Sequence, residues 1–273
     1  MRIVFIGDIF GRSGREALEK YLPKIRAELK PDIVIVNGEN AANGAGITEK
    51  ICKQFYEYGV DVITTGNHVW DQREIIPYIA RDKTLLRPIN FPHGTPGYGT
   101  YKFKLTDGRT ILVVNAMARL FMDPLDDPFK AMRDVLEKEK LGKTCDAIFV
   151  DFHGETTSEK MSLAHHLDGR ITALVGTHTH IPTADCHVLE NGTAYQTDAG
   201  MTGDFDSVIG VQKEIAMHRF VKKMPGERMR PAKGKATLCG CFIVSNDKTG
   251  KAQSIEPIRL GGILHQTMPE ISE

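Results

Sequence analysis

The chain has no long hydrophobic run: nothing in its 273 residues approaches the ~20 consecutive apolar positions that a membrane-spanning helix requires. Its N-terminus passes directly into the strand-like Arg2-Ile3-Val4-Phe5-Ile6, without the longer apolar region and small-residue cleavage site of a signal peptide. A cytoplasmic protein with no membrane partner is therefore expected. An excess of either charge is also lacking. Thirty-five Lys and Arg balance thirty-five Asp and Glu, which removes any global attraction to nucleic acid or an anionic surface and leaves only local patches to consider. The five cysteines are odd in number and lack zinc-ribbon spacing. That argues against both a disulfide framework and a thiolate metal site. Cys239-Gly240-Cys241, the one close pair, reads as buried strand residues. No linker, repeat or low-complexity segment divides the chain, so one domain over 1–273 is expected.

What is present is a series of short apolar segments alternating with helical periods. Ile3–Ile6 is a buried strand. Ser13 with Glu16 has the spacing of a capping box, opening a helix whose Ala17, Leu18, Tyr21, Leu22, Ile25 and Leu29 share a face. Ile33–Val36 makes a second strand and completes a β-α-β unit with parallel strands. A glycine-rich loop, 41–46, leads to a helix through Ile51, Phe55 and Tyr58, and Val60–Ile63 forms a third strand. Asp71 with Glu74 reads as the cap of a helix through Ile75 and Ile79. Residues 83–98 read as a long surface connection. Thr100–Leu105 and Thr110–Asn115, joined at Asp107-Gly108, form a hairpin. Asp127-Pro128 starts a helix that runs to Gly142, Ala147–Val150 is a strand, Thr157–Leu167 a helix and Ile171–Val175 a strand. Beyond it come short strands near 184–189, 193–197, 238–244 and 254–258, with few helical periods. The economical architecture is α/β: two sheets packed face to face with helices outside, the second half mostly antiparallel.

The loops that leave these strands carry the chemistry. In Val175-Gly176-Thr177-His178-Thr179-His180 a β-branched run stops at glycine and delivers two imidazoles at i and i+2, which share a face if the backbone stays extended. Asp8, Glu39-Asn40, Asn67-His68 and His153 likewise stand just past strand ends, where ligands of open α/β sheets bind. This oxygen and nitrogen donor set without thiolate suits manganese, iron or zinc. The number of donors exceeds the needs of one tetrahedral ion. A pair of ions ~3.5–4 Å apart, clamping a phosphoryl group around a bridging hydroxide, is the better count. Glu39 or Asp8 could bridge them.

The series Gly7-Asp8, Gly38-Glu39-Asn40, Gly66-Asn67-His68, His153-Gly154 and Gly176-Thr177-His178-Thr179-His180 resembles the calcineurin-like metallophosphoesterases. More closely it is similar to their bacterial YmdB-like subfamily, and the likeness extends through Gly192–Asp198 and Gly200–Gly203. The resemblance implies a four-layer α-β-β-α sandwich, a di-iron or manganese centre, and hydrolysis of small nucleotide phosphodiesters, notably 2′,3′-cyclic nucleotides. It implies that Asp8, Asn40 and His180 hold one metal and Asn67, His153 and His178 the other, with Glu39 bridging. His68 then stays off the metals as proton donor to the leaving alkoxide. Three departures from the wider superfamily, Phe10 in place of a histidine, Glu39 in place of an aspartate bridge, and Val69-Trp70 between His68 and the acid Asp71, are those of the subfamily.

Several blander readings stand beside these. Gly7, Gly11 and Gly14 do not have the dinucleotide fingerprint spacing. His165 and His166 read as structural or surface residues. From His218 to Lys235 seven Lys and Arg face one acid, Glu227. This reads as a solvated loop or hairpin, with an anion-attracting flap for a nucleotide or RNA as the sharper version; Arg12 and Arg119 are lesser candidates for phosphate contact. A homo-oligomer is the expected assembly. The competing functions are a phosphomonoesterase or nuclease with the same centre, or a metal-bound regulatory or RNA-associated protein.

Overall fold

The strand nearest the N-terminus shows how the layers arise. In β1 (Arg2–Ile6) Ile3 and Phe5 lie on one face and Val4 and Ile6 on the other, yet all four are fully buried. A strand apolar on both faces must be covered on both. Val4 and Ile6 pack with Leu18, Leu22 and Ile25 of α1 (Gly11–Leu29). Ile3 and Phe5 instead meet Phe149 and Val175 of a second sheet, the Phe5 and Phe149 rings 5.0 Å apart between centroids. The far face of that sheet, including Val114, Ile148 and Leu174, packs on Met132 and Leu136 of α4 (Pro128–Lys138) and Leu163 and Leu167 of α5 (Thr157–Leu167). Three apolar seams thus separate four layers, α-β-β-α.

The computed structural model describes residues 1–271, so the last two positions of the expected 1–273 unit lie outside the described residues. Numbered in chain order, the first sheet runs β10 (Gly203–Asp204), β11 (Ala236–Ser245), β1, β2 (Ile33–Asn37) and β3 (Val62–Thr64), with β12 (Ala252–Gly261) antiparallel on β11. The second runs β4 (Thr100–Lys104), β5 (Thr110–Met117), β6 (Ala147–His153), β7 (Ala173–Thr177), β9 (Ala194–Gln196) and β8 (His187–Val188). β1, β2 and β3 are mutually parallel, as are β5, β6 and β7. The chain therefore leaves each of these strands at a carboxyl end, where the candidate residues stand.

Several local expectations change. The helix α1 begins at Gly11, before Ser13, and Phe10 precedes it without a side-chain cap; Ser13 is buried in the first turn and donates to the Ala232 carbonyl at 3.4 Å. Thr48 caps α2 (Glu49–Glu57) through the Ile51 amide, and Asp127 caps α4 through Phe129, but α4 stops at Lys138, short of Gly142. Asp71 does not cap α3 (Ile75–Ile79), which starts after Glu74 with no side-chain cap. Residues 83–98 are not merely a surface connection. Leu85 and Leu86 are fully buried and extend the edge of β3 through backbone bonds with Ile63. The basic segment is partly helical: α6 (Lys213–Lys222) carries its first cations, against the expected loop or hairpin. Helical spacing is masked there because Ala216 alone of that helix is buried. Cys239 and Cys241 are buried in β11, and His165 and His166 are exposed on α5, as read from the sequence.

Candidate metal centre

Asp8 follows β1, Glu39 and Asn40 follow β2, Asn67 and His68 follow β3, His153 ends β6, and His178 and His180 follow β7. The tightest group forms around His153 Nε2. Asn67 Oδ1 lies 2.9 Å from it, Glu39 Oε2 3.0 Å and His178 Nδ1 3.1 Å. Gly66 makes this packing attainable, because a Cβ at that position would collide with Glu39 Oε2 and the His153 ring.

The outer hydrogen bonds assign the protons. Thr177 Oγ1 donates to the buried Asp151 at 2.7 Å, so toward His153 Nδ1, 2.9 Å away, it accepts. The neutral His153 ring therefore carries its proton on Nδ1 and presents a lone pair at Nε2. Glu155 Oε2 lies 3.2 Å from His178 Nε2, on the side of that ring away from His153, while Nδ1 faces inward. With His153 neutral, four lone pairs, from Glu39, Asn67, His153 and His178, converge; in the metal-free protein the His153 Nε2 proton sits among them and faces Glu39 and Asn67. Burial of this kind is costly unless positive charge enters.

A second group adjoins the first. Asn40 Nδ2 lies 3.1 Å from Glu39 Oε1 and 3.2 Å from His180 Nε2, while His180 Nδ1 donates to the Ile209 carbonyl at 2.8 Å. Asp8 is fully buried. Its Oδ2 accepts from the His178 amide at 3.1 Å, and its Oδ1 has no partner. Glu39 Oε2 is likewise without a hydrogen bond.

The cluster's appetite for positive charge shows in its titration. Burial drives the Asp8 carboxyl well above its usual range. Burial would raise Glu39 too, but His153 outweighs it and holds Glu39 at about 2. Burial would lower His153; Glu39 and Asp8 overcome it and raise the ring to about 9. Burial, reinforced by His153, lowers His178 to about 3. Orphaned carboxylate oxygens and converging lone pairs of hard and borderline donors fit a cation. Among the described residues, Glu39, His153 and His178 form the one group of three such side chains with ligand atoms within 4.8 Å of one another.

The two histidines do not share the face of an extended strand, contrary to the sequence reading. Strand β7 ends at Thr177, and His178 and His180 adopt positive φ, 102° and 69°. Such backbone costs on the order of 1–3 kcal/mol per residue and needs support. Thr179 supplies it, donating from its amide at 3.0 Å and its hydroxyl at 2.7 Å to Asp198 Oδ2, which is paired at 3.0 Å with the fully buried Lys160. The turn aims His178 at His153 and His180 at Asn40.

His68 lies outside the crowded group. Its Nδ1 is 2.8 Å from Asp71 Oδ2 at the partly exposed rim, so the acid read as a helix cap is the partner of this imidazole. Glu155, Asp151 and Lys160 were not singled out from the sequence. Asp151 could have been, since it precedes His153 by two on one strand and so shares its face. For Lys160, on a helix, no local signal exists.

A sequence model of the YmdB-like protein family matches residues 4–258. A protein of Bacillus subtilis described as 2′,3′-cyclic-nucleotide 2′-phosphodiesterase is 46% identical over 258 residues, 94% of this chain and 96% of its own. Among solved structures, a hypothetical protein of Thermus thermophilus superposes with a TM-score of 0.89 at 43% identity, covering 96% of this chain and 100% of that one. A novel phosphatase of Mycoplasma pneumoniae does so with a TM-score of 0.89 at 34% identity, covering 96% and 93%. With the match running through every strand end that bears a candidate ligand, the chain belongs to the YmdB-like protein family.

Proposed function

We propose that the chain is a metal-dependent phosphodiesterase that opens nucleoside 2′,3′-cyclic phosphates at the 2′ bond, as the name of the Bacillus subtilis relative describes for that protein. The observation that carries this reading is the convergence of four nitrogen and oxygen atoms of metal-ligand type beside a His–Asp pair that is not part of them. Glu39, Asn67, His153 and His178 would hold one cation. Asp8, Asn40 and His180 would hold a second, the Asn40 amide turned so that Oδ1 takes the place of Nδ2, and Glu39 would bridge. Iron or manganese suits such a donor set, with zinc the alternative. Bound there, the cations supply Lewis acidity, positive charge for the phosphoryl oxygens and a lowered pKa for the attacking water.

The chain's own groups do the rest. Asp71 accepts the His68 Nδ1 proton, which fixes the ring and leaves Nε2 to carry the transferable proton. In its protonated form His68 gives that proton to the departing ribose 2′ oxygen, which stays tethered to the product. Asp198, Lys160 and Thr179 keep the His178–His180 turn in its strained form, and Asp151 orients His153 through Thr177. No helix among the described residues is long and apolar enough to cross a membrane, and we place the enzyme in the cytoplasm.

The test is turnover of a panel comprising 2′,3′- and 3′,5′-cyclic nucleotides, a phosphomonoester and short RNA, after loading with manganese, iron or zinc. The 2′,3′-cyclic nucleotide should give the highest kcat/KM and yield the 3′-phosphate. A monoester turned over faster would make the protein a phosphomonoesterase, and equal activity in a Glu39→Ala variant would dismiss the centre.

A further inference from the structure

A cleft of about 630 Å³ opens between the first turn of α1, the loop at Asn43 and the segment Arg228–Lys233. Four cations border it, Arg12, Arg228, Arg230 and Lys233, against the single carboxylate of Glu16. Among the described residues only Arg230 of the four is ion-paired, with Glu227 at 3.6 Å on exposed side chains. The chain as a whole is neutral, so this concentration does not reflect a general basic bias. Concave walls focus such a field, and guanidinium forks match the geometry of phosphate oxygens.

The cleft is tied to the metal cluster by its supporting backbone. Pro231 packs against Gly11 and Gly44. The Gly11 amide donates to the Asn40 carbonyl at 2.9 Å. The Ala232 amide donates to the Gly210 carbonyl at 2.7 Å, one residue beyond Ile209, which holds His180 Nδ1. Phe10 fills the space between, its ring edge-on to His180 at 5.3 Å and against Gly44 and Gly210. The cleft and the centre thus share one wall, made by Phe10, Gly11 and the Asn40–Gly44 loop.

A nucleoside 2′,3′-cyclic phosphate has both of its secondary ribose oxygens committed to the reacting phosphate. The remaining ribose hydroxyl that can carry another phosphate is the 5′ one. We propose that the cleft binds a phosphate on the 5′ side of the nucleoside whose cyclic phosphate is opened, so that the preferred substrates are 5′-phosphorylated nucleotides or oligoribonucleotide 3′ ends. This inference rests on the phosphodiesterase reading above.

The experiment compares three substrates of the manganese-loaded protein: a nucleoside 2′,3′-cyclic phosphate, its 5′-phosphorylated form, and a dinucleotide ending in the cyclic phosphate. The two substrates with the extra phosphate should show KM values lower by about tenfold or more at low salt, one charge-assisted contact's worth, with the advantage shrinking as salt rises. Equal gains for both mean that one phosphate is recognised, and a larger gain for the dinucleotide means that the cleft follows the chain. The Arg228→Gln/Arg230→Gln double variant, both sites being exposed, should erase the advantage and leave kcat and KM for the unsubstituted nucleoside unchanged. Fluorescence anisotropy with a labelled dinucleotide 3′-phosphate should show the same loss of affinity without turnover. Wild-type protein that treats all three substrates alike, or a double variant that impairs all three alike, overturns the cleft while sparing the centre. Failure to turn over any of the three overturns the phosphodiesterase reading, and the cleft's role with it.

Discussion

Glu155 Oε2 stands 3.2 Å from His178 Nε2, on the side of the ring opposite the atom that faces His153. Once a cation engages Nδ1 the ring carries its proton on Nε2, beside this carboxylate, which then orients the ring and favours the liganded form. Glu155→Ala is therefore expected to weaken manganese binding by about 10- to 100-fold with little change in thermal midpoint of the metal-free protein. Isothermal titration with Mn²⁺ measures this, and unchanged affinity would show that the contact is incidental.

His68 and Asp71 should separate proton transfer from metal binding. His68→Ala is expected to lower kcat by about 10²–10⁴ while metal content by elemental analysis stays at the wild-type level. Asp71→Asn should fall between, since it removes only the group that orients the ring. Metal lost in parallel with activity would make His68 a ligand.

Lys160 and Asp198 are both fully buried, 3.0 Å apart. Lys160→Met leaves Asp198 as an uncompensated charge, and a loss of about 3–5 kcal/mol is expected from urea denaturation. Because Asp198 also restrains Thr179, the variant that still folds should bind metal more weakly. A neutral result would mean that the turn holds itself.

Metal-stripped protein should respond to pH with a definite sign. Burial opposes the charge on His153, but Glu39 and Asp8 raise its pKa to about 9, above the ordinary 6.5. A group raised on folding stabilises fully below its unfolded value and loses that contribution as pH climbs through the folded one. Glu39, held at about 2, stays ionised throughout this interval. The thermal midpoint in chelator should therefore decline between about pH 6.5 and 9, while the increment on adding Mn²⁺ grows, since the cation needs a neutral His153. Differential scanning fluorimetry across that range decides it, and an increment that shrinks with pH would contradict the ligand role of His153.

Much of the fold could be read along the chain because its strands are apolar on both faces and end at glycine followed by a polar group. That pattern reports local burial, which is what Val4, Phe5, Val34 and Ile148 display. It also placed Asp8, Glu39, Asn40, Asn67, His153, His178 and His180 at strand ends. The amphipathic signal failed at α6, most of whose residues face solvent. The capping pattern misled at Asp71, where a residue suited to capping found an imidazole three positions back.

By itself the sequence determined which residues lie at the carboxyl ends of the parallel strands, since periodicity and chain breaks are local properties. Which atoms meet was decided only in three dimensions. The left-handed backbone at His178 and His180 separates two rings that an extended strand would have kept on one face. It exists because Asp198, after β9 and itself paired with Lys160 of α5, holds Thr179. The orientation that turns His153 Nε2 toward the cluster likewise comes from Thr177 and Asp151. Long-range contacts of this kind leave no period or spacing in the chain, because the free energy that selects them arises only when the two sheets close on each other.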